Sequence, residues 1–272
     1  MIKNNIKNYL VISLLLLSAT SMVQNHASAL SFYGQYICGT HECTAQQFAL
    51  HQAHLSGAQK SGQVAIAIRP SIGAAINFAV LGSSTVTNTG NTNIVGNLGV
   101  SSGTAITGFP PGIVIGRTYA SDEVATGAHA DAATAYGILS NATCTINEPA
   151  VADIGGQTLT PGVYCFPSSA AITGTLTLSG SGAYIFKIGS TLTTSAGNSN
   201  VVLTSRASSS QVFWAVGSSA TLGTGSDFKG TMIAYSSITS TTGATVDGRL
   251  IALNGAVTLD TNHITITTLP FH

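Results

Sequence analysis

Polar and apolar residues alternate one for one along much of the chain, in short runs set off by glycine and serine. Thr175-Leu176-Thr177-Leu178, Thr191-Leu192-Thr193 and Ser219-Ala220-Thr221-Leu222 are such runs. Alternation of this kind predicts half-buried strands, with leucine or alanine turned inward and hydroxyl-bearing residues turned outward. Leu176, Leu178, Leu192, Ala220 and Leu222 then point in. Thr175, Thr177, Thr191, Thr193, Ser219, Thr221, Ser237 and Thr239 point out, as do Thr85 and Thr87.

These runs repeat. SSATLGTGSDFKGTMIA, from Ser218, realigns on SSITSTTGATVDGRLIA, from Ser236, at a shift of 18 residues, and a shorter copy, NGAVTLDTNHI, follows from Asn254. In this register Ala220, Ile238 and Ala256 coincide, as do Phe228, Val246 and Ile264, and Met232 coincides with Leu250. VTNTGNTNIVGNLGV, from Val86, fits the same pattern, so an early coil joins the late ones. One such unit cannot bury its apolar side alone, and copies must stack into a solenoid.

A second outward column starts at the corner after each of these strands, at Asn91 to Asn93, Thr224 to Asp227, Thr242 to Thr245 and Asp260 to His263. The third strand of each coil, Met232-Ile233-Ala234 or Leu250-Ile251-Ala252-Leu253, is apolar on both sides and needs cover on both. The cover is a helix over 121–139. Ser121 is its expected N-cap, Asp122 and Glu123 suit the positive end of the dipole, and Val124, Ala128, Ala132, Ala135 and Leu139 form one stripe.

The first 29 residues read as an export signal: Lys3 and Lys7, an apolar run from Leu10 to Ala19, then Ala27-Ser28-Ala29. A secreted, extracellular product follows. Residues 30–75 read as an N-terminal extension with a short helix over 44–59, and 76–272 as the solenoid domain. His51 and His54 share a face of that short helix and, with Glu42, raise a metal site that no known motif supports, so no metal and no cofactor is expected. The four cysteines allow three pairings. Nearness in sequence favours Cys38 with Cys43 and Cys144 with Cys165.

Only 7% of residues are charged and the formal net charge is zero. A nucleic acid or anionic membrane would ask for a basic stripe, and neither is expected as a partner. The nine acidic residues are scattered, where a lyase or hydrolase would cluster its carboxylates, so no enzyme is expected.

FAVLGSSTVTNTG (from Phe78), GTAITGFPPG (from Gly103), LTPGVYCF (from Leu159), AITGTLTL (from Ala171), FKIGSTLTTSAG (from Phe186) and VFWAVGSSATLGTGSDFKGTMIA (from Val212), with the repeats to 264, resemble the DUF3494-type ice-binding proteins. The resemblance runs in order over about residues 76–268. It implies a right-handed, discontinuous parallel β-solenoid of triangular section with one long helix alongside, and a single chain that binds ice through one flat face. A T-[A/G]-x-[T/N] pattern on that face is matched by Thr242-Gly243-Ala244-Thr245 and Thr104-Ala105-Ile106-Thr107. Thr224-Gly225-Ser226-Asp227 matches it in part, and Asp260-Thr261-Asn262-His263 departs from it.

The family pattern ranks the second column first as the ice-binding site: Asn93, Thr224, Ser226, Asp227, Thr242, Thr245, Asp260, Thr261 and His263. The ladder of Thr175, Thr177, Thr191, Thr193, Ser219, Thr221, Ser237 and Thr239 is the alternative face. A secreted adhesin or carbohydrate-binding solenoid is the competing function. It would need aromatics on an open face, and Trp214, Phe213 and Phe186 lie in strands that read as buried.

Overall fold

A computed structural model of the protein describes residues 70–148, 151–197 and 199–266, with the backbone of Tyr36–Cys38 and His41–Cys43. The chain divides into two compact units, Met1–Val64 and Ala65–His272. In the first, the described backbone is one antiparallel pair that sets Tyr36 opposite Cys43 and Cys38 opposite His41. The expected export signal, the helix over 44–59, the side chains of Glu42, His51 and His54, and the Cys38–Cys43 pairing all lie outside the described residues.

The second unit is a parallel β-solenoid with three walls. One is an eight-stranded sheet in the order Val151–Asp153, Ser169–Ile172, Leu192–Thr194, Ala220–Leu222, Ile238–Ser240, Val257–Asp260, Thr85–Thr89 and Ala105–Thr107. The other two belong to a 15-stranded sheet that folds along a corner. Asp227–Ala234 and Thr245–Ala252 run through that corner unbroken and turn at Gly230 and Gly248. At Gly230, φ is +110°, a conformation that favours glycine. A Cβ on Gly248 would lie 1.9 Å from the Gly230 carbonyl oxygen, so coils could not close up there with any other residue.

The chain does not fill the stack in sequence order. The early strand Thr85–Thr89 pairs with Val257–Asp260, and Ala105–Thr107 follows it, so the N-terminal coils sit beyond the C-terminal one. Thr118–Ala120 then ends one wall, and the chain re-enters at Ile146–Asn147, the strand at the far end of that same wall. The helix Glu123–Ser140 makes the return journey. Its 18 residues span about 27 Å, which covers most of the stack it has to retrace.

The helix lies on the wall that is apolar on both sides. Ala128, Ala132, Ala135 and Leu139 pack on Ile185, Phe213, Ala215, Ile233 and Ile251. Small side chains let the helix lie close to a flat sheet. Two details of its start differ from the expectation. Asp122 is the N-cap, extended at φ −91°, and its carboxylate accepts from the Ala125 amide at 2.8 Å. Ser121 has φ +56°, outside the extended range a cap requires. Ala128, Ala132, Ala135 and Leu139 are buried as the stripe requires, but its first place is taken by Ala125, and Val124 is 47% exposed.

Inside the walls, like residues stack in columns. Tyr164, Phe186 and Trp214 form successive stacked pairs with ring centroids 5.4 and 3.8 Å apart, and the Trp214 indole N–H donates to the Lys229 carbonyl at 3.0 Å. The expected Cys144–Cys165 disulfide is present and ties the segment after the helix to the strand Gly162–Phe166.

The repeat register holds with one correction. Met232 pairs with Leu250, and Phe228, Val246 and Ile264 share a column. The residue in line with Ala220 and Ile238, however, is Val257 and not Ala256. The third copy carries one extra residue around Asn254-Gly255 and loses one in the next turn. The longer apolar side chain of Val257 thus takes the inward place, fully buried.

Candidate functional site: two open walls

The eight-stranded wall is open. Its register places Thr193, Thr221, Thr239, Thr258, Thr87 and Thr107 side by side on six successive strands. All six side chains are exposed or half-buried. Five steps between parallel strands give a straight row about 24 Å long. Two residues earlier on each strand runs a second row of Ser169, Thr191, Ser219, Ser237, Ala256, Thr85 and Ala105. Among the described residues, the acidic members of this wall's strands are at its borders: Asp153 on the first strand and Asp260 at the corner.

Stiffness comes from the same residues that make the surface. Threonine is branched at Cβ, so its methyl and hydroxyl are held in few rotamers. Beneath them Leu192, Ala220, Ile238, Val257 and Val86 form a buried row that fixes the backbone from inside. The hydroxyls of Thr193, Thr221, Thr239 and Thr107 bond to no other group among the described residues, whereas Thr87 donates to Thr258 at 3.4 Å.

The second open wall starts at the corner beyond. One of its rows is Thr175, Asn200, Asp227, Thr245, His263, Asn93 and Ile113, and the next is Thr177, Val202, Lys229, Asp247, Thr265, Val95 and Ile115. This mixed face has the same strand spacing and a different chemistry. Lys229 and Asp227 form an ion pair at 2.7 Å, and the Thr245 hydroxyl donates to Asp227 at 2.9 Å. Ile113 and Ile115, at its end, are 61% and 58% exposed.

The residues ranked first from the sequence therefore divide among three places. Asn93, Asp227, Thr245 and His263 share a row of the mixed face. Thr224, Thr242 and Asp260 line the corner that borders the threonine face, where the Thr242 hydroxyl donates to Asp260 and Thr261 donates to the same carboxylate at 2.9 Å. Thr261, exposed, occupies the left-handed turn position that Gly225 and Gly243 fill in the preceding coils. Ser226 is buried, 1% exposed, with an unpartnered hydroxyl, because the turn before Asp227 directs it inward.

The alternative ladder is divided too. Thr191, Thr193, Ser219, Thr221, Ser237 and Thr239 lie on the threonine face, while Thr175 and Thr177 belong to the mixed one, in register with Asn200 and Val202. The two full matches to the T-[A/G]-x-[T/N] pattern also part company. Thr242 to Thr245 turns the corner, and Thr104 to Thr107 runs along the last strand of the threonine face. The sequence pattern does not place Thr258 and Thr107 in the ladder. The one-residue slip at Ala256 hid the first, and the out-of-order stacking of the early coils hid the second.

Among the described residues no three His, Cys, Asp or Glu side chains gather closely enough to hold a metal ion, and no helix is long and apolar enough to cross a membrane. The aromatics expected to be buried are buried: Trp214, Phe186 and Phe213 lie inside the walls or under the helix.

The sequence model of the family described as "Ice-binding-like" matches residues 80–265 of the chain. An ice-binding protein of Nostoc sp. (strain HG1) is 52% identical over 198 residues, which is 71% of this chain and 72% of that protein. The crystal structure of an ice-binding protein from an Antarctic biological consortium superposes with a TM-score of 0.69 at 45% identity, over 72% of this chain and 90% of that one. That of an ice-binding protein from the ascomycete Antarctomyces psychrotrophicus gives 0.71 at 40% identity, over 73% and 98%.

Proposed function

Because this chain belongs to the ice-binding-like family, we propose that it adsorbs to ice through the threonine face and so arrests crystal growth and recrystallisation. The observation that carries the choice of face is the uninterrupted row of six threonines on neighbouring strands.

Ice is ordered water, so its ligand has to be flat, regular and rigid. Rows about 4.7–4.9 Å apart, with alternate residues about 6.6–6.8 Å apart along each strand, lie near repeats of that lattice. The methyl groups offer water no strong partner, and the free hydroxyls anchor an ordered layer of it. A lysine or glutamate in the row would be mobile and strongly hydrated, which works against such a layer. Each contact is weak, and a rigid face makes many at once without a fresh ordering cost. Molecules held this way force the ice front to bulge between them, which lowers the local freezing point.

The mixed face keeps the spacing and lacks the chemistry. The Asp227–Lys229 pair and Asp247 break its middle, and two exposed isoleucines fill its end. The ranking suggested by the sequence pattern is accordingly reversed in this proposal, with the corner threonines Thr224 and Thr242 as the border of the site. A sugar-binding role finds no support in either row, since neither carries an aromatic side chain on which a sugar could stack.

We also place the protein outside the cell, on the strength of its basic, apolar and small-residue N-terminal sequence. Sequencing the N-terminus of material recovered from the medium should find a start near Leu30; material retained inside the cell with Met1 in place would contradict it. For the main reading, a small ice crystal watched in a micromolar solution of the purified protein should become faceted and stop growing. A rounded crystal that enlarges freely would overturn it.

A further inference from the structure

The two rows of the threonine face use their hydroxyls differently, and the difference follows from where the backbone runs short of acceptors. At the edge where each coil enters this wall, the Ser236 amide donates to the Ser218 carbonyl of the coil before it, and the Ala220 amide donates back to the Ser237 carbonyl. The Ser237 amide falls between these two bonds and turns instead to the Ser219 hydroxyl, at 3.4 Å. One coil on, Gly255 donates to Ser236, Ile238 donates to Ala256, and the skipped amide of Ala256 reaches the Ser237 hydroxyl at 3.2 Å.

The same arrangement recurs at a third step. Ser190 donates to Ser168, Ala170 donates to Thr191, and the Thr191 amide and hydroxyl both point to the Ser169 hydroxyl, at 3.4 and 2.9 Å. A backbone amide without a partner is costly, so an acceptor at this point holds one coil to the next. Gly255 makes room for the reach. A Cβ there would sit 2.1 Å from the Ser237 hydroxyl oxygen. Two residues further along each strand, by contrast, Thr193, Thr221 and Thr239 keep hydroxyls that no group among the described residues engages.

We infer that Ser169, Ser219 and Ser237 are positioning residues: each accepts an otherwise unpaired amide of the adjoining coil, fixing the spacing at which the threonine row is presented to ice. This rests on the threonine face being the ice-binding one. The threonine row makes the contact, and the serine row sets its pitch.

Ser237→Ala, Thr239→Ala and the double variant of the whole protein separate the two roles. In Ser237→Ala, hydrogen exchange at the Ala256 amide should quicken about fivefold, the factor carried by one ordinary hydrogen bond, and ice-growth arrest should weaken. Adding Thr239→Ala should then cost less than it does in the otherwise unchanged protein, because a row already out of pitch has less to lose. Ser237→Thr, which keeps the hydroxyl, should restore both the slow exchange and the arrest. Unchanged exchange at Ala256 in Ser237→Ala would overturn the inference. Strictly additive losses would overturn it too, since Ser237 would then touch ice on its own account. Thr239→Ala with full arrest would instead remove the reading of the face, and the exchange result would stand apart from it.

Discussion

The threonine face and the mixed face are two sides of the same coils. Their strands belong to one stack, rest on one core and repeat at one pitch, yet the first carries six neighbouring threonines and the second an ion pair, a histidine and two exposed isoleucines. On the proposed assignment, a flat parallel sheet of fixed spacing is not sufficient to make an ice-binding site. What separates the two sides is the unbroken run of short, neutral and conformationally restricted threonines on six neighbouring strands.

The largest effect should come from a change that ignores the distinction. Trp214 is fully buried between Phe186 and Phe228 and supports both open walls. Trp214→Ala should lower stability by about 3–5 kcal/mol, read from denaturant unfolding, and ice-growth arrest should fail as the fold fails. Reducing the Cys144–Cys165 bond comes next. A loop of 21 residues is worth about 3 kcal/mol on the chain-entropy model, so the melting point should drop. Arrest by the protein that stays folded should be untouched, since the bond lies on the helix side.

Changes confined to one side sharpen the comparison. Thr221→Lys sets a mobile charge in the middle of the row, and arrest should be largely lost while unfolding shifts by no more than about 0.5 kcal/mol. A Thr221→Lys protein that still stops crystals would place the site elsewhere. The smallest effect should follow from Lys229→Thr with Asp247→Thr on the mixed face. Lys229→Thr removes the half-buried Lys229–Asp227 pair, a surface interaction of about 0–1 kcal/mol, and arrest should stay as it was. If arrest were to rise, the mixed face would be engaging ice as well.

Much of this could be read from the chain. The 18-residue shift gave the stacking, alternation gave the inward leucines, and a strand apolar on both sides demanded the helix that covers it. The parts that were not legible share a cause, which is that local periodicity does not report on corners or on stacking order. One extra residue near Asn254 moved Val257 into the place read for Ala256 and hid Thr258. Thr175 and Thr177 have the same Thr-x-Thr look as Thr191 and Thr193, yet a corner lies between them. Thr87 and Thr107 joined the row only because the first coils sit beyond the last, a long-range pairing that no window of sequence displays.

The most direct test sets Thr239→Tyr against Thr245→Tyr, two substitutions of one kind six residues apart on the two open walls. Growth of single ice crystals should continue nearly unchecked in the first protein and stop as usual in the second. Arrest that survives Thr239→Tyr and vanishes with Thr245→Tyr would contradict the account and move the ice-binding surface to the mixed face.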